Sequence, residues 1–281
     1  MRQYLSRFAY ANGYKMLQEK TGLYIDQLQA QGRYSFTLEE LVKKTGQSLK
    51  AIRRALERLQ AKTRITRVTR GFYVIIPIEY RQSGMLPAEW FVHDLMNYLG
   101  SQYYVGLLSA AALHGAAHQQ PQEFQIMVNR QRRAILVKGL RLRFFYKRCL
   151  DASSGIVSLK TETGSIDVSG PELTAMDLVR YQKSIGGLSQ VASVLAELAE
   201  KVKPAALRDV ILREKSMAFC QRLGYLLDRL GFAAKAHPLS DWLAAEKPLS
   251  VLLDPSRPRG KSPVDRKWRV FENQTIQIDE L

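Results

Sequence analysis

SFTLEELVKKTGQSLKAIRRALERLQAKTRITRVTRGFYVII, residues 35–76, reads as a helix, a tight turn, a basic amphipathic helix and a short β-hairpin. That order is the outline of a winged helix-turn-helix. Thr37 stands three residues before Glu40, the spacing of a capping box that satisfies orphan backbone donors at a helix start. The helix it opens runs from about Leu38 to Lys44 and stops at Thr45-Gly46, where glycine suits the left-handed residue that closes a helix. Ser48 offers a second N-cap. From there Leu49, Ile52, Ala55, Leu56 and Leu59 recur at spacings of three and four, one face of a helix reaching Ala61. The opposite face carries Lys50, Arg53, Arg54 and Arg58. Ile65–Val68 and Phe72–Ile76 flank Thr69-Arg70-Gly71, a Gly-containing turn between two β-prone runs.

The charge follows the same segment. Arg33 to Arg70 holds eleven Lys and Arg against three Glu, a net +8 that is half of the chain's +16. A helix with one apolar and one basic face docks on a small core and still faces a phosphate backbone. The second helix is therefore expected in the major groove. Ser48 stands at its start, and Lys50, Arg53 and Arg54 sit close enough to reach base edges. Lys43, Lys44 and Arg58 are placed on phosphates, and Arg64, Arg67 and Arg70 on the flanking backbone through the wing. An arginine fork suits guanine because it bonds O6 and N7 together. One such module makes a small interface, so the expected double-stranded operator has inverted repeats, bound by a homodimer or by monomers acting cooperatively.

The 281 residues suit two domains, and 46% hydrophobic with 24% charged residues is an ordinary globular composition. The two cysteines, Cys149 and Cys220, fit no zinc or redox spacing and are expected as reduced residues of a cytoplasmic protein. The first residues lack the apolar core of a signal peptide, and no stretch reads as a membrane span, so no membrane partner is expected. Residues 1–30 read as helical, with Leu5, Phe8, Leu17, Leu23, Ile25 and Leu28 as the apolar positions.

The expected fold class is α+β. A winged-helix domain over 1–84 precedes a larger domain over 85–281, with the break at Arg81-Gln82-Ser83-Gly84. Pro87 to Gly100 reads as a short helix, Tyr103–Val105 as a brief strand, and LLSAAALHGAA as a buried helix of small residues. Residues 123–168 read as an antiparallel sheet and about 171–245 as mainly helical, with a break at Gly186-Gly187. Val251–Leu253 and Trp268–Phe271 read as strands around the basic loop DPSRPRGKSP. A second basic run, Arg130 to Arg148, holds eight Lys and Arg and no acid. Arg130, Arg132, Arg133, Arg141 and Arg143 mark it either as a second electropositive surface or as the solvent face of a sheet.

Signatures of catalysis are missing from the sequence. His114 and His118 share the i, i+4 spacing of a ligand pair, but no third ligand accompanies them, and Gly115 weakens the helix between them. His93 and His237 stand alone. There is no P-loop, no dinucleotide-binding glycine fingerprint and no nucleophile elbow. The expectation is a protein that is not an enzyme, with no metal and no cofactor.

The chain resembles the AbiEi-type antitoxins, transcriptional regulators of bacterial abortive-infection (type IV) toxin–antitoxin systems. RGFYVIIP at 70–77, YYVGLLSAAALHG at 103–115, FQIMV at 124–128, GPELTAMDLVRY at 170–181 and VLLDPSRPRGKSPVDRKWRVFEN at 251–273 carry the resemblance, in that order. It implies a winged helix that represses its own operon and a C-terminal domain that neutralises a cognate nucleotidyltransferase-like toxin in phage defence. Neutralisation without a stable complex is one mode the family implies; tight inhibition and toxin modification are others. The alternative reading is a winged-helix transcription factor with a ligand-sensing C-terminal domain and no toxin. A third is a nucleic-acid-processing enzyme whose winged helix delivers the substrate.

Overall fold

The computed structural model of the chain describes residues 20–116, 121–148, 150 and 155–276. Leu5, Phe8, Leu17, His118 and Cys149 lie outside them. Residues cluster into two compact units with interleaved segments. The first holds 1–102, 133–143 and 160–166, and the second holds 103–132, 144–159 and 167–281. The Gly84–Met85 position falls inside the first unit.

The first unit begins, among the described residues, with helical residues 20–30 (α1). A three-residue strand, β1 (Ser35–Thr37), leads directly into α2 (Leu38–Thr45) and α3 (Leu49–Ala61). A hairpin of β2 (Ile65–Thr69) and β3 (Phe72–Ile75) follows. β1 has no signature in the sequence beyond Phe36, and it forms because β3 offers it an edge. Ser35, Phe36 and Thr37 pair antiparallel with Val74, Tyr73 and Phe72, giving the sheet order β1-β3-β2. Between Arg67 and Thr69 the register of β2 on β3 shifts, a bulge that adds twist near the hairpin tip.

Ile25, Leu28, Phe36, Leu41, Ile52, Leu56, Leu59, Ile65, Tyr73 and Ile75 form the core under this sheet. Two expected apolar positions are exposed instead: Leu23 at 58% and Leu49 at 42%. Each lies at the edge of its helix's apolar stripe, where periodicity alone does not separate core from rim. A one-turn 3-10 helix (Ala88–Trp90) and α4 (Val92–Tyr98) complete the chain up to Gly100. Asp94 of α4 accepts a 2.5 Å hydrogen bond from the Ser35 hydroxyl, and Tyr34 and Tyr80 both meet the Trp90 ring edge-on.

The remaining sheet has six strands in the order β6-β7-β5-β4-β9-β8. These are β4 (Tyr103–Val105), β5 (Phe124–Val128), β6 (Ile135–Val137), β7 (Leu140–Tyr146), β8 (Ile156–Thr161) and β9 (Gly164–Ser169). The expected antiparallel sheet over 123–168 is thus mixed and one strand wider. β4 sits between β5 and β9, antiparallel to β5 and parallel to β9. Its three buried residues, Tyr103, Tyr104 and Val105, suit an interior strand covered on both faces.

Helices supply most of the second unit: α5 (Leu107–Leu113), α6 (Pro171–Arg180), α7 (Gly187–Leu198), α8 (Pro204–Glu214), α9 (Met217–Arg229) and α10 (His237–Glu246). In α6, Glu172 through Val179 are all buried, and in α9 so are Cys220 through Leu227. A helix covered all round is central rather than amphipathic. Gly186 and Gly187 both have positive φ, +104° and +86°, and make the break before α7. A small sheet, β10-β12-β11, closes the described chain, with β10 (Val251–Leu252) parallel and β11 (Val264–Asp265) antiparallel to β12 (Val270–Phe271). β11 and α10 were not separately expected from the sequence. No helix among the described residues is long and apolar enough to cross a membrane.

Candidate nucleic-acid interface

The turn between α2 and α3 is built by the three residues whose types prescribe it. Thr37 Oγ1 accepts from Glu40 N at 3.0 Å, Gly46 adopts φ +63° and donates to Val42 O, and Ser48 accepts from Ala51 N. Only half of the capping box forms. The Glu40 carboxylate turns away to receive Arg33 and the Tyr24 hydroxyl. Burial raises Glu40's pKa, but Arg33 and Tyr24 outweigh it and hold the carboxyl below its ordinary range; Tyr24, half-buried beside that carboxylate, is pushed up to about 12. Under the turn, Thr21 donates to Gln47 Oε1 at 2.6 Å, and both side chains are buried. This bond fixes α1 against the turn and was not legible in the sequence.

With Ile52, Ala55, Leu56 and Leu59 buried, the other face of α3 is set. Ser48, Lys50, Arg53, Arg54 and Arg58 are exposed on it, and Lys43 and Lys44 are exposed at the end of α2. Arg67 is exposed on β2 and bonds the hydroxyl of Tyr73 on β3, and Arg53 acts on the same hydroxyl electrostatically. Burial raises the pKa of that phenol while the two arginines oppose the rise. Two cations from two elements thus converge around one tyrosine, which is itself stacked on Phe36 at 5.4 Å.

Arg70 is exposed at the hairpin tip, where Gly71 has φ +81°. Tyr98 of α4 donates its hydroxyl to Arg70 O at 2.8 Å, and a Cβ on Gly71 would lie 2.4 Å from that hydroxyl oxygen. Tyr98 therefore sets the height of the tip, although nothing near it in sequence announces the role. Arg64 differs from its expected place. It stands at the base of the hairpin, half-buried, with its guanidinium on the Asp26 carboxylate of α1.

The five arginines of the second basic run divide between the units, Arg130 and Arg132 in the second and Arg133, Arg141 and Arg143 in the first. Lys147, from the same run, is not on a surface at all. Its ammonium is buried, 3.0 Å from Asp177 Oδ1, 2.8 Å from Glu214 Oε1 and 3.0 Å from the Tyr104 hydroxyl. Tyr104 donates to Asp177 Oδ2 at 2.6 Å, and Arg180 pairs with Glu214 Oε2 at 2.5 Å. Burial would raise the Glu214 carboxyl, but Lys147 and Arg180 outweigh it and hold it low; burial, reinforced by Asp177, pushes Tyr104 up. Two cations meet two carboxylates, so the cluster is neutral and its polar atoms point at one another. Beside it, burial pushes the Cys220 thiol up to about 12, which leaves it un-ionised and a poor nucleophile. His114 Nε2 meets Ser169 O at 2.7 Å, a structural bond. Among the described residues no group of three or more His, Cys, Asp and Glu could hold a metal.

Tyr104, Asp177, Arg180 and Glu214 all lie within residues 104–229, and those residues match the family model of the AbiEi antitoxin C-terminal domain. Over them the chain is similar to the AbiEi antitoxins. Two family-like motifs, YYVGLLSAAALHG and GPELTAMDLVRY, thereby acquire a physical meaning: they supply Tyr104, Asp177 and Arg180 to one buried network that joins β4, α6 and α8. No curated protein matches the chain. Among solved structures it is similar to the RV2827C protein from Mycobacterium tuberculosis, at 16% identity and a TM-score of 0.63, over 89% of this chain and 90% of that one. That likeness is one of fold, and it covers segments of both units.

Proposed function

We propose that this chain is the antitoxin of a toxin–antitoxin pair and the repressor of its own operon. The first unit acts as a winged helix-turn-helix, and the unit holding 104–229 neutralises a nucleotidyltransferase-like toxin. The observation that carries this reading is a chain joining an AbiEi antitoxin C-terminal domain to a capped helix, α3, with Lys50, Arg53, Arg54 and Arg58 exposed opposite its buried stripe. α3 enters the major groove of an inverted-repeat operator, Lys43, Lys44 and Arg58 hold phosphates, and Arg67 and Arg70 place the hairpin on the flanking backbone. Arg64 braces the hairpin from its base through Asp26. Binding in the cytoplasm as a dimer or cooperatively links the two half-sites. Phage defence follows from the pairing with a toxin.

Growth of cells expressing the neighbouring toxin-like gene tests the antitoxin half. Rescue is expected with the intact chain and also with an Arg53→Ala/Arg54→Ala variant that no longer represses. Absence of rescue by a folded, expressed chain would leave a DNA-binding regulator. The second unit contains a cavity of about 300 Å³ lined by Tyr225, Arg229, Glu272 and Gln274, which is what a ligand-sensing regulator without a toxin would use. Unchanged operator affinity in cell extracts stripped of small molecules argues against that alternative.

A further inference from the structure

The C-terminal motif has no part in the reading above, yet it is the most densely basic piece of the second unit. Residues 254–269 hold Arg257, Arg259, Lys261, Arg266, Lys267 and Arg269 against Asp254 and Asp265, a net +4. All six cations are exposed. A charge run on a mobile loop would mean little, but this one is mounted on a frame. Trp268 is 1% exposed and donates Nε1 to Asp228 Oδ2 at 2.7 Å. Its ring lies where a Cβ on Gly224 would come within 2.1 Å, so α9 admits it only because that residue is glycine. Asp265 Oδ1 accepts from Trp268 N, and Arg269 closes the β11–β12 turn at φ +52°.

The preceding loop is tied as firmly. Asp254 accepts from both the N and the hydroxyl of Ser256, and Asn273 Nδ2 donates to Asp254 O and Arg257 O. Arg259 lies 3.9 Å over the Phe271 ring, and Lys267 reaches Asp228 at 2.6 Å.

From this geometry we infer a second nucleic-acid contact: the 254–269 segment is a preorganised platform for the phosphate backbone of a DNA duplex, independent of α3. The inference rests on the reading of the chain as an operator-binding protein and adds a site to it. Phosphate is the partner that the composition fits. Protein interfaces depend on desolvated aromatic or aliphatic anchors. Here Trp268 is buried, Phe271 is covered by Arg259, and Val264 at 41% exposure is the one large apolar side chain offered. The segment contains no Asn or Gln to read adenine, which points to backbone rather than base contacts. Lys261 and Arg266 are the cations to test, because the other four are tied to Asp254, Phe271, Asp228 and Pro248 O.

The experiment uses the full chain, a short DNA duplex of unrelated sequence as probe, and anisotropy across a salt series. Lys261→Ala/Arg266→Ala is expected to leave the thermal midpoint unchanged and to shrink the slope of log Kobs against log salt by about 1.8, two contacts at about 0.9 each. The same decrement is expected on a Lys50→Ala/Arg53→Ala/Arg54→Ala background, and Lys261→Arg/Arg266→Lys restores the slope. An unchanged slope overturns the inference. So does intact duplex binding with lost rescue from the toxin, which would assign the platform to an acidic protein face. Failure of the α3 reading would look different: the Lys50/Arg53/Arg54 variant would keep full operator affinity while the platform variant still lost its increment.

Discussion

The Lys147 ammonium lies 3.0 Å from Asp177 Oδ1, and the two side chains are 7% and 0% exposed. This pair joins the residue after β7 to the most enclosed helix of the second unit. Removing one member of a buried pair leaves a charge with too few partners, which costs about 3–5 kcal/mol. Lys147→Ala is therefore expected to lower the urea midpoint far more than an exposed control such as Lys160→Ala. The double variant Lys147→Met/Asp177→Leu is expected to recover much of the loss, because no charge is stranded. Equal midpoints for Lys147→Ala and the control would show that the pair does not hold the unit together.

Glu214 gives the cluster a pH dependence. Burial would raise its carboxyl, but Lys147 and Arg180 outweigh burial and keep the folded-state pKa below the unfolded value. Its stabilising contribution is then complete above the ordinary glutamate pKa of about 4.3 and is lost as pH falls through the depressed folded value. Glu214→Gln is expected to be less stable at neutral pH and to lose stability less steeply on acidification. Parallel stability-against-pH curves for the two proteins would refute this.

On the proposed operator, Arg53→Ala and Arg54→Ala are each expected to cost about 1–3 kcal/mol and to relax base preference, whereas Lys43→Ala is expected to weaken all sequences alike. Arg64→Ala separates from both. Its guanidinium is spent on Asp26, so the expected effect is a lower thermal midpoint, matched by Asp26→Ala, with little change in salt slope. Titration of operator and scrambled duplexes with each variant distinguishes the three behaviours.

Tyr98 tests whether the hairpin tip must be held. Tyr98→Phe keeps the ring contact with Phe72 at 5.5 Å and loses only the bond to Arg70 O, about 0.5–1.5 kcal/mol. Gly71→Ala is expected to be worse, since it combines an alanine at φ +81° with a 2.4 Å approach to the Tyr98 hydroxyl. Replacing Tyr98 with Ala in the Gly71→Ala protein removes the collision but not the backbone strain, so partial recovery of the thermal midpoint is the expected result.

Legibility in the sequence followed locality. Thr37, Gly46 and Ser48 act on backbone groups within a few residues of themselves, so their types alone announced the turn and the start of α3. The basic face of α3 followed because its opposite stripe was apolar. β1 escaped because three residues carry no period. The mixed sheet escaped because pairing of β4 with β9 is a long-range choice of edge. In the sequence Lys147 is one more cation of a basic run, since its partners Asp177 and Glu214 come from helices far along the chain. Asp177, inside an otherwise enclosed α6, offered a hint that only burial turns into a contact.

The interleaving of the two units has a consequence for the newborn chain. The first unit draws on residues 133–143 and 160–166 as well as 1–102, so its full set of segments exists only once Ile166 has been synthesised. Much of the second unit's sequence has been synthesised by then. A truncated translation product ending before that point would carry α3 and its arginines without the full set of segments that cluster around them. Incomplete chains thus present the basic face of α3 on a unit that lacks part of its frame.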